Sequence, residues 1–560
     1  MKRTNPLHLA VVASLLWTGS AFAQPVAAPP PGPAAPPAPA PPAPPSPPAP
    51  PAPPLPPVPP PPPAPPPLPP VSVTTPPLPP PDSPKPAAPP GPSSVELMSL
   101  RLMKEKGLLS EAEYEGALRD LTESTGAQAA EQNTVVFGRW ATTLYGFVEA
   151  DSIYDSTRSF NDLAGNAQVA RADTEAGQNP RFTMGARNSR IGFRVKAPEL
   201  PSGIRTSAML EMDFLGTQLP VGNSGQGYQG TEGAYFTNPT FRVRHMNLKV
   251  ETPVVDILMG QYWQLFGWQS AYNVNTVEIQ GVPGEVYART PQIRISKTLK
   301  AEPLVVELAV AASRPFQRDA GTPDGQAGLR LAIDSWTGMQ TVGSTGTQIA
   351  PLSVAVTGLY RHVAVDNWVA APTYTNSLSM GAFAIDGFVP IIPGSKQKKG
   401  NSLSLTGEFA RGSGFADMYT SLTGGAGFPS VPAPAGSPAG TAATPFAADI
   451  DNGIVTYDAN GVLHSIDWQS YMIGAQYYFP GVDGKLWLSG NYSHMFSDNI
   501  AQYGTATKLT SVYDWFDVNL FVDPVPALRL GVEYANFNTQ YVDGQHAINH
   551  RAQLSGFFIF

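Results

Sequence analysis

From Trp140 onward, apolar and polar residues alternate with a period of two. In "LRLGVEYANF", Leu528, Leu530, Val532 and Tyr534 point one way, and Arg529, Gly531, Glu533 and Ala535 the other. In "SVYDWFDVNLFV", Val512, Phe516, Val518, Leu520 and Val522 oppose Tyr513, Trp515, Asp517 and Asn519. "KLWLSGNYSH", "SYMIGAQYYF", "NSLSLTGEFA" and "LSVAVTGLYRH" repeat the theme. A two-residue period places alternate side chains on opposite faces of a strand. The spacing predicts sixteen strands, from 140–155 and 181–197 to 528–538 and 547–560.

The connections fall into two kinds. Short ones, such as 197–203, 251–256, 298–303, 480–485 and 523–528, alternate with long ones, such as 156–180, 216–238, 265–287 and 412–466. The segment 335–350 must be a short-side turn, yet it is long and rich in Gly and Thr. An even number of antiparallel strands, with short turns on one rim and long loops on the other, describes a transmembrane barrel. Lipid requires an outward apolar stripe, and closure satisfies every backbone amide. A soluble solenoid would need a short fixed repeat, and the sequence shows none. The expected fold is all-β: a sixteen-stranded antiparallel transmembrane β-barrel over 138–560.

The N-terminal region has a different character. Lys2, Arg3, the apolar run Leu7 to Trp17 and Ala21-Phe22-Ala23 predict a signal peptide over 1–23. Residues 24–93 form a Pro/Ala tract holding most of the 64 prolines. Proline fixes φ and removes the amide donor, which predicts a disordered, extended linker. Over 94–124, capping-box pairs Ser93/Glu96 and Ser110/Glu113 with Gly107 between them predict a short helical hairpin. Each helix is too short to be stable alone, so its apolar face needs a partner, within the chain or beyond it.

Composition narrows the function. The formal net charge is −8, and removing Lys2 and Arg3 makes it more negative, which disfavours nucleic acid as a partner. No cysteine is present, which excludes a disulfide framework. There is no Ser/His/Asp, Walker or Rossmann pattern, so neither enzymatic activity nor a cofactor is expected. "DIDNG" (449–453) resembles the start of a calcium loop, but its twelfth position is Asn460, and an Asx turn fits better. His546 and His550 share a strand face without a third ligand, and a metal site is not expected.

A sixteen-stranded barrel encloses an aqueous channel whose selectivity depends on lumenal charge. In "RIGFRVK", Ile191, Phe193 and Val195 face one way, which turns Arg190, Arg194 and Lys196 to the other. Ile293 and Ile295 place Arg294 opposite them. Phe241 and Val243 put Arg242 and Arg244 inward, but Met246 and Leu248 share that parity; a bulge near His245 would reconcile them. Two readings compete: a basic ladder guiding anions, or arginines neutralised by loop carboxylates such as Glu278 and Glu285. Loop 265–287, with Tyr272, Glu278 and Glu285, is the candidate to fold inward and narrow the pore, or else to cap the outside.

The ending "RAQLSGFFIF" resembles the C-terminal signal of bacterial outer-membrane proteins, in which Phe560 would be read by the barrel-assembly machinery. Stretches such as "TLYGFVEADSIYDSTRSF", "NSRIGFRVKAP", "VRHMNLKVETPVVDILMGQYWQLFG", "ARTPQIRIS" and "LTGEFARGSGFADMY" resemble the DcaP-like porins, in order over about 140–420. The resemblance implies a homotrimeric porin in outer-membrane lipid, passing small anionic compounds, dicarboxylates among them, with a periplasmic helical extension. The chain departs from that pattern in its Pro-rich tract and its short helical pair. The alternative is an envelope-spanning tether, with the barrel as anchor and the tract, on the order of 200 Å when extended, reaching toward peptidoglycan.

Overall fold

The computed structural model describes residues 134–137 and 140–560, apart from 165–167, 201, 217–238, 279–280, 318–319, 396, 421, 423–429, 432, 442–443, 446–453 and 504–508. The expected signal peptide, proline tract and helical pair lie outside the described residues, as does 449–453.

Sixteen barrel strands follow one another. β1 is Trp140–Asp155, and β2 runs in two pieces, Arg181–Gly185 and Arg190–Lys196. β3 (Arg205–Gly216), β4 (Thr240–Glu251), β5 (Asp256–Trp263), β6 (Arg289–Ala301) and β7 (Leu304–Ser313) come next. They are followed by β8 (Asp324–Val342), β9 (Gly346–Asp366), β10 (Thr375–Ile392) and β11 (Ser402–Ser413). β12 (Asp467–Tyr478), β13 (Leu486–Ser497), β14 (Thr510–Val525), β15 (Leu528–Tyr541) and β16 (His546–Ile559) complete the wall. Neighbours pair antiparallel, and β16 returns to β1 from Phe147 opposite Ile559 to Asp155 opposite Arg551. Closure leaves no unpaired edge strand in the wall among the described residues. A short strand, Thr134–Phe137, pairs with the first residues of β1.

The period-two pattern explains the wall. Val532 pairs with Leu554 on one side and Leu520 on the other. All three are well exposed on the outer face, whereas Glu533, Gln553 and Ser555 are buried within. Stacked over neighbouring strands, these residues form the apolar band that lipid requires. At the short-turn rim, Phe558 lies outward and Phe560 exchanges backbone hydrogen bonds of 3.0 and 2.9 Å with Gly146. A Cβ on Gly146 would sit 2.2 Å from the Arg190 carbonyl oxygen, so glycine is required there.

Two expectations need correction. The predicted strand 181–197 is broken at 186–189. Four residues there span three on β1, a bulge in which Arg187, Asn188 and Ser189 are all buried. The Ser189 hydroxyl takes over the ladder position by accepting from the Glu149 amide at 2.9 Å, and Asn188 donates to Asp151 at 3.0 Å. The second concerns 335–350, which connects β8 and β9 on the short-turn side but is not a simple turn. β8 and β9 continue past the barrel wall as an inward-folded hairpin whose tip is Gly343 to Thr345. Glycine at position 343 adopts φ +58, which the tight tip needs.

Candidate functional site

Loop 264–288 enters the lumen; it does not cap the outside. The Leu265 and Phe266 amides donate to Gln326 Oε1 at 2.9 Å each, and the Gly267 amide to Thr357 Oγ1 at 3.0 Å. Farther along, the Val277 amide reaches Asn519 Oδ1 (2.9 Å) and the Glu278 amide reaches Glu533 Oε2 (2.9 Å). The return passes β11, where the Val286 amide donates to Glu408 Oε1 at 2.8 Å. The loop therefore bridges strands from β8 to β15. Its entry is set at Gly267, with φ +77, where a Cβ would meet Val286 Cγ1 at 2.9 Å.

Tyr272, Glu278 and Glu285 are all buried in this loop. The Tyr272 hydroxyl accepts from Arg330 Nε at 3.2 Å. Glu278 accepts from Arg551 Nη1 at 3.2 Å and from the Ala164 amide at 2.8 Å. Glu285 accepts from the Val282 amide at 3.1 Å. Burial pushes the Glu285 carboxyl well above the usual carboxylate range, and nearby Glu408 adds to the rise. Glu278 thus ion-pairs with Arg551 of β16, whereas Arg190 of β2 and the arginines of β4 meet other carboxylates.

The partners of those arginines are on the wall itself. Arg242 forks onto Asp213 at 3.0 and 2.6 Å. Arg244 binds Glu211 at 2.8 Å, Asp213 at 3.0 Å and the Tyr287 hydroxyl at 3.3 Å. A bulge opposite Glu211 and Met212 lets both Arg244 and His245 point inward while Phe241, Val243, Met246 and Leu248 stay outside. This is the bulge that parity requires near His245. Arg190 lies 3.6 Å from Glu211 and over the Phe147 ring.

Three further guanidiniums have no carboxylate within ion-pair distance among the described residues. Arg194 lies over the Tyr145 ring, 4.3 Å from its centroid. Arg294 binds Gln292 at 3.0 Å and the Trp263 carbonyl at 2.5 Å. Arg289 stacks on Trp263 and Tyr287, at 4.9 and 5.6 Å. Burial acts to raise the Tyr287 phenol, but Arg244, Arg289 and Arg190 outweigh it and lower it.

A lumenal cavity of about 520 Å³ has Arg190, Arg194 and Arg244 on one wall. Loop residues Gln269, Asn273 and Glu285 and hairpin residues Val342 to Gln348 face them. Toward the short-turn rim a second cavity of about 320 Å³ carries Arg194, Lys196, Lys249 and Arg294. Arg194 borders both, so the cationic groups form a continuous line. The hairpin contribution extends the site beyond the sequence candidates, and Arg289 supports it through Trp263 and Tyr287 without lining either cavity. Strand parity groups Arg289 with Ile293 and Ile295 rather than with Arg294, and no local signal shows that 337–351 turns inward.

No protein-family model and no curated protein matches the chain. Among solved structures it is similar to the outer membrane channel DcaP of Acinetobacter baumannii, with 17% identity and a TM-score of 0.54, over 76% of this chain and 99% of that one. An anion-selective porin from Comamonas acidovorans aligns at 11% identity and a TM-score of 0.41, over 75% and 100% of the two chains. OprB of Pseudomonas putida aligns at 9% and 0.41, over 78% and 96%. The first likeness is one of fold: the barrel expected from the DcaP-like resemblance is the barrel observed.

Proposed function

We propose that this chain is an outer-membrane porin of the DcaP-like kind, through which small anionic, carboxylate-type solutes diffuse passively. One observation carries the reading. Arg194 and Arg294 lack carboxylate partners among the described residues and line a continuous lumenal path with Arg190 and Arg244. A guanidinium held against an aromatic ring keeps its outer N–H groups for a passing carboxylate. Fixed charge of one sign in a narrow, low-dielectric passage concentrates counter-ions.

The apolar outer band supports residence in outer-membrane lipid, and the sequence resemblance supports a homotrimer assembled by the barrel-assembly machinery. Both chain ends of the wall lie at the short-turn rim, which supports placing the N-terminal extension in the periplasm. Planar-bilayer recording tests the central reading: stepwise current with anion preference supports it, and absence of current in correctly folded protein refutes it.

A further inference from the structure

Lumen-facing positions near the short-turn rim are unexpectedly apolar. Trp487, Phe521 and Phe557 point inward and are fully buried. The Trp487 and Phe521 rings stack with centroids 4.1 Å apart. In an open channel these rings would be wetted, which is costly for so large an apolar area. They are covered by the β8–β9 hairpin, whose Met339 and Ile349 pack into the same cluster.

The hairpin leaves the wall by a defined device. Ile333 pairs with Leu352 and Thr337 with Pro351, so residues 334–336 bulge out of the ladder. Trp336 anchors that bulge by donating to the Pro390 carbonyl at 2.8 Å. Beyond it, the Thr341 amide and carbonyl are both bonded by Gln476, at 2.8 and 2.9 Å. The tip meets the lumenal loop, where the Gly343 amide donates to the Val274 carbonyl at 3.0 Å and Asn275 donates back to the Gly343 carbonyl at 2.5 Å. Arg529 completes the hold. It is fixed by Asp523 at 2.7 and 2.8 Å, lies over Trp487, and donates to the Ser344 carbonyl (2.7 Å) and Thr347 Oγ1 (3.1 Å).

We infer that the hairpin 337–351, clamped by Arg529, is a second constriction element that enters from the short-turn rim and sets the pore's cross-section opposite the arginine wall. It is a specificity device: the loop from one rim and the hairpin from the other meet at Gly343, and solute passes between that junction and the guanidiniums. Arg529 is a positioning residue that acts through the hairpin and touches no solute. The inference rests on the channel reading, but its readout differs. Selectivity is read from the sign of the reversal potential, and cross-section from the size of the current.

Three measurements in planar bilayers test it, on protein first shown to be a heat-modifiable barrel. Replacing 338–349 by a two-residue turn is expected to raise single-channel conductance about two-fold or more while keeping the ion preference. An unchanged conductance overturns the inference. Thr345→Cys in the full chain, which has no other cysteine, is expected to lose at least about half its current after labelling with a bulky methanethiosulfonate. Complete labelling by mass with unchanged current overturns it, even if the deletion variant fails to fold. Arg529→Gln is expected to flicker between two conductance levels, with Arg529→Lys restoring part of the steady state. A steady wild-type level in the glutamine variant contradicts the clamp. If the wild type passes no current and the deletion variant does, the hairpin stands as a plug and the diffusion reading falls.

Discussion

At the residue scale, paired and unpaired arginines should behave differently. Arg242 and Arg244 are satisfied by Asp213 and Glu211, whereas Arg194, Arg289 and Arg294 meet aromatic rings and neutral acceptors. Replacing the latter three with glutamine is expected to move the reversal potential toward cation preference, with the barrel's heat-modifiability unchanged. The opposite sign is expected for Glu211→Gln. That change removes a negative charge from the same wall and should increase anion preference, while Asp213 still holds Arg244. A common sign for both variants would show that lumenal charge does not set selectivity. On the outer face, Val532→Lys should cost about 2–4 kcal/mol if it lies near the membrane midplane. Gln348→Lys, which faces the cavity, should cost little; unfolding of the two variants in detergent–lipid mixtures gives the comparison.

At the element scale, much of the wall was legible because lipid and lumen impose a two-residue alternation on every strand. The outward set Leu530, Val532 and Leu554 and the inward set Arg190, Arg194 and Arg294 were readable from it. Parity even located the bulge at Arg244 and His245. Shortening β4 by deleting Asn247, beyond the bulge, should therefore turn Leu248 and Val250 inward and Lys249 toward lipid. The expected result is loss of heat-modifiable barrel on gels; normal assembly would contradict the assigned register. The break in β2 at 186–189 was hidden because Arg187, Asn188 and Ser189 fit an alternating strand as well as a bulge. The inward path of 337–351 was hidden for another reason. A run of Gly, Thr, Gln and Ser suits a solvent turn and a lumenal hairpin alike, and the aromatic floor that receives it comes from β13, β14 and β16, far off in sequence. The partners of Arg244 likewise lie on neighbouring strands, at a register fixed only by assembly.

At the scale of the whole molecule, the barrel is a closed wall with one decorated side. Its cationic line runs down β2, β4 and β6, and the loop and hairpin fill the lumen opposite. The chain's formal net charge is −8, so an anion-selective passage here cannot come from net charge; it must come from where the guanidiniums stand. This separates the account from any argument based on overall charge, and one measurement addresses it. Across a salt gradient in a planar bilayer, the reversal potential of the wild-type protein is predicted to have the sign of anion permeation. It should shrink as ionic strength rises and screening shortens the reach of the arginines. A potential of the cation sign, or one at zero across the gradient, would contradict the account.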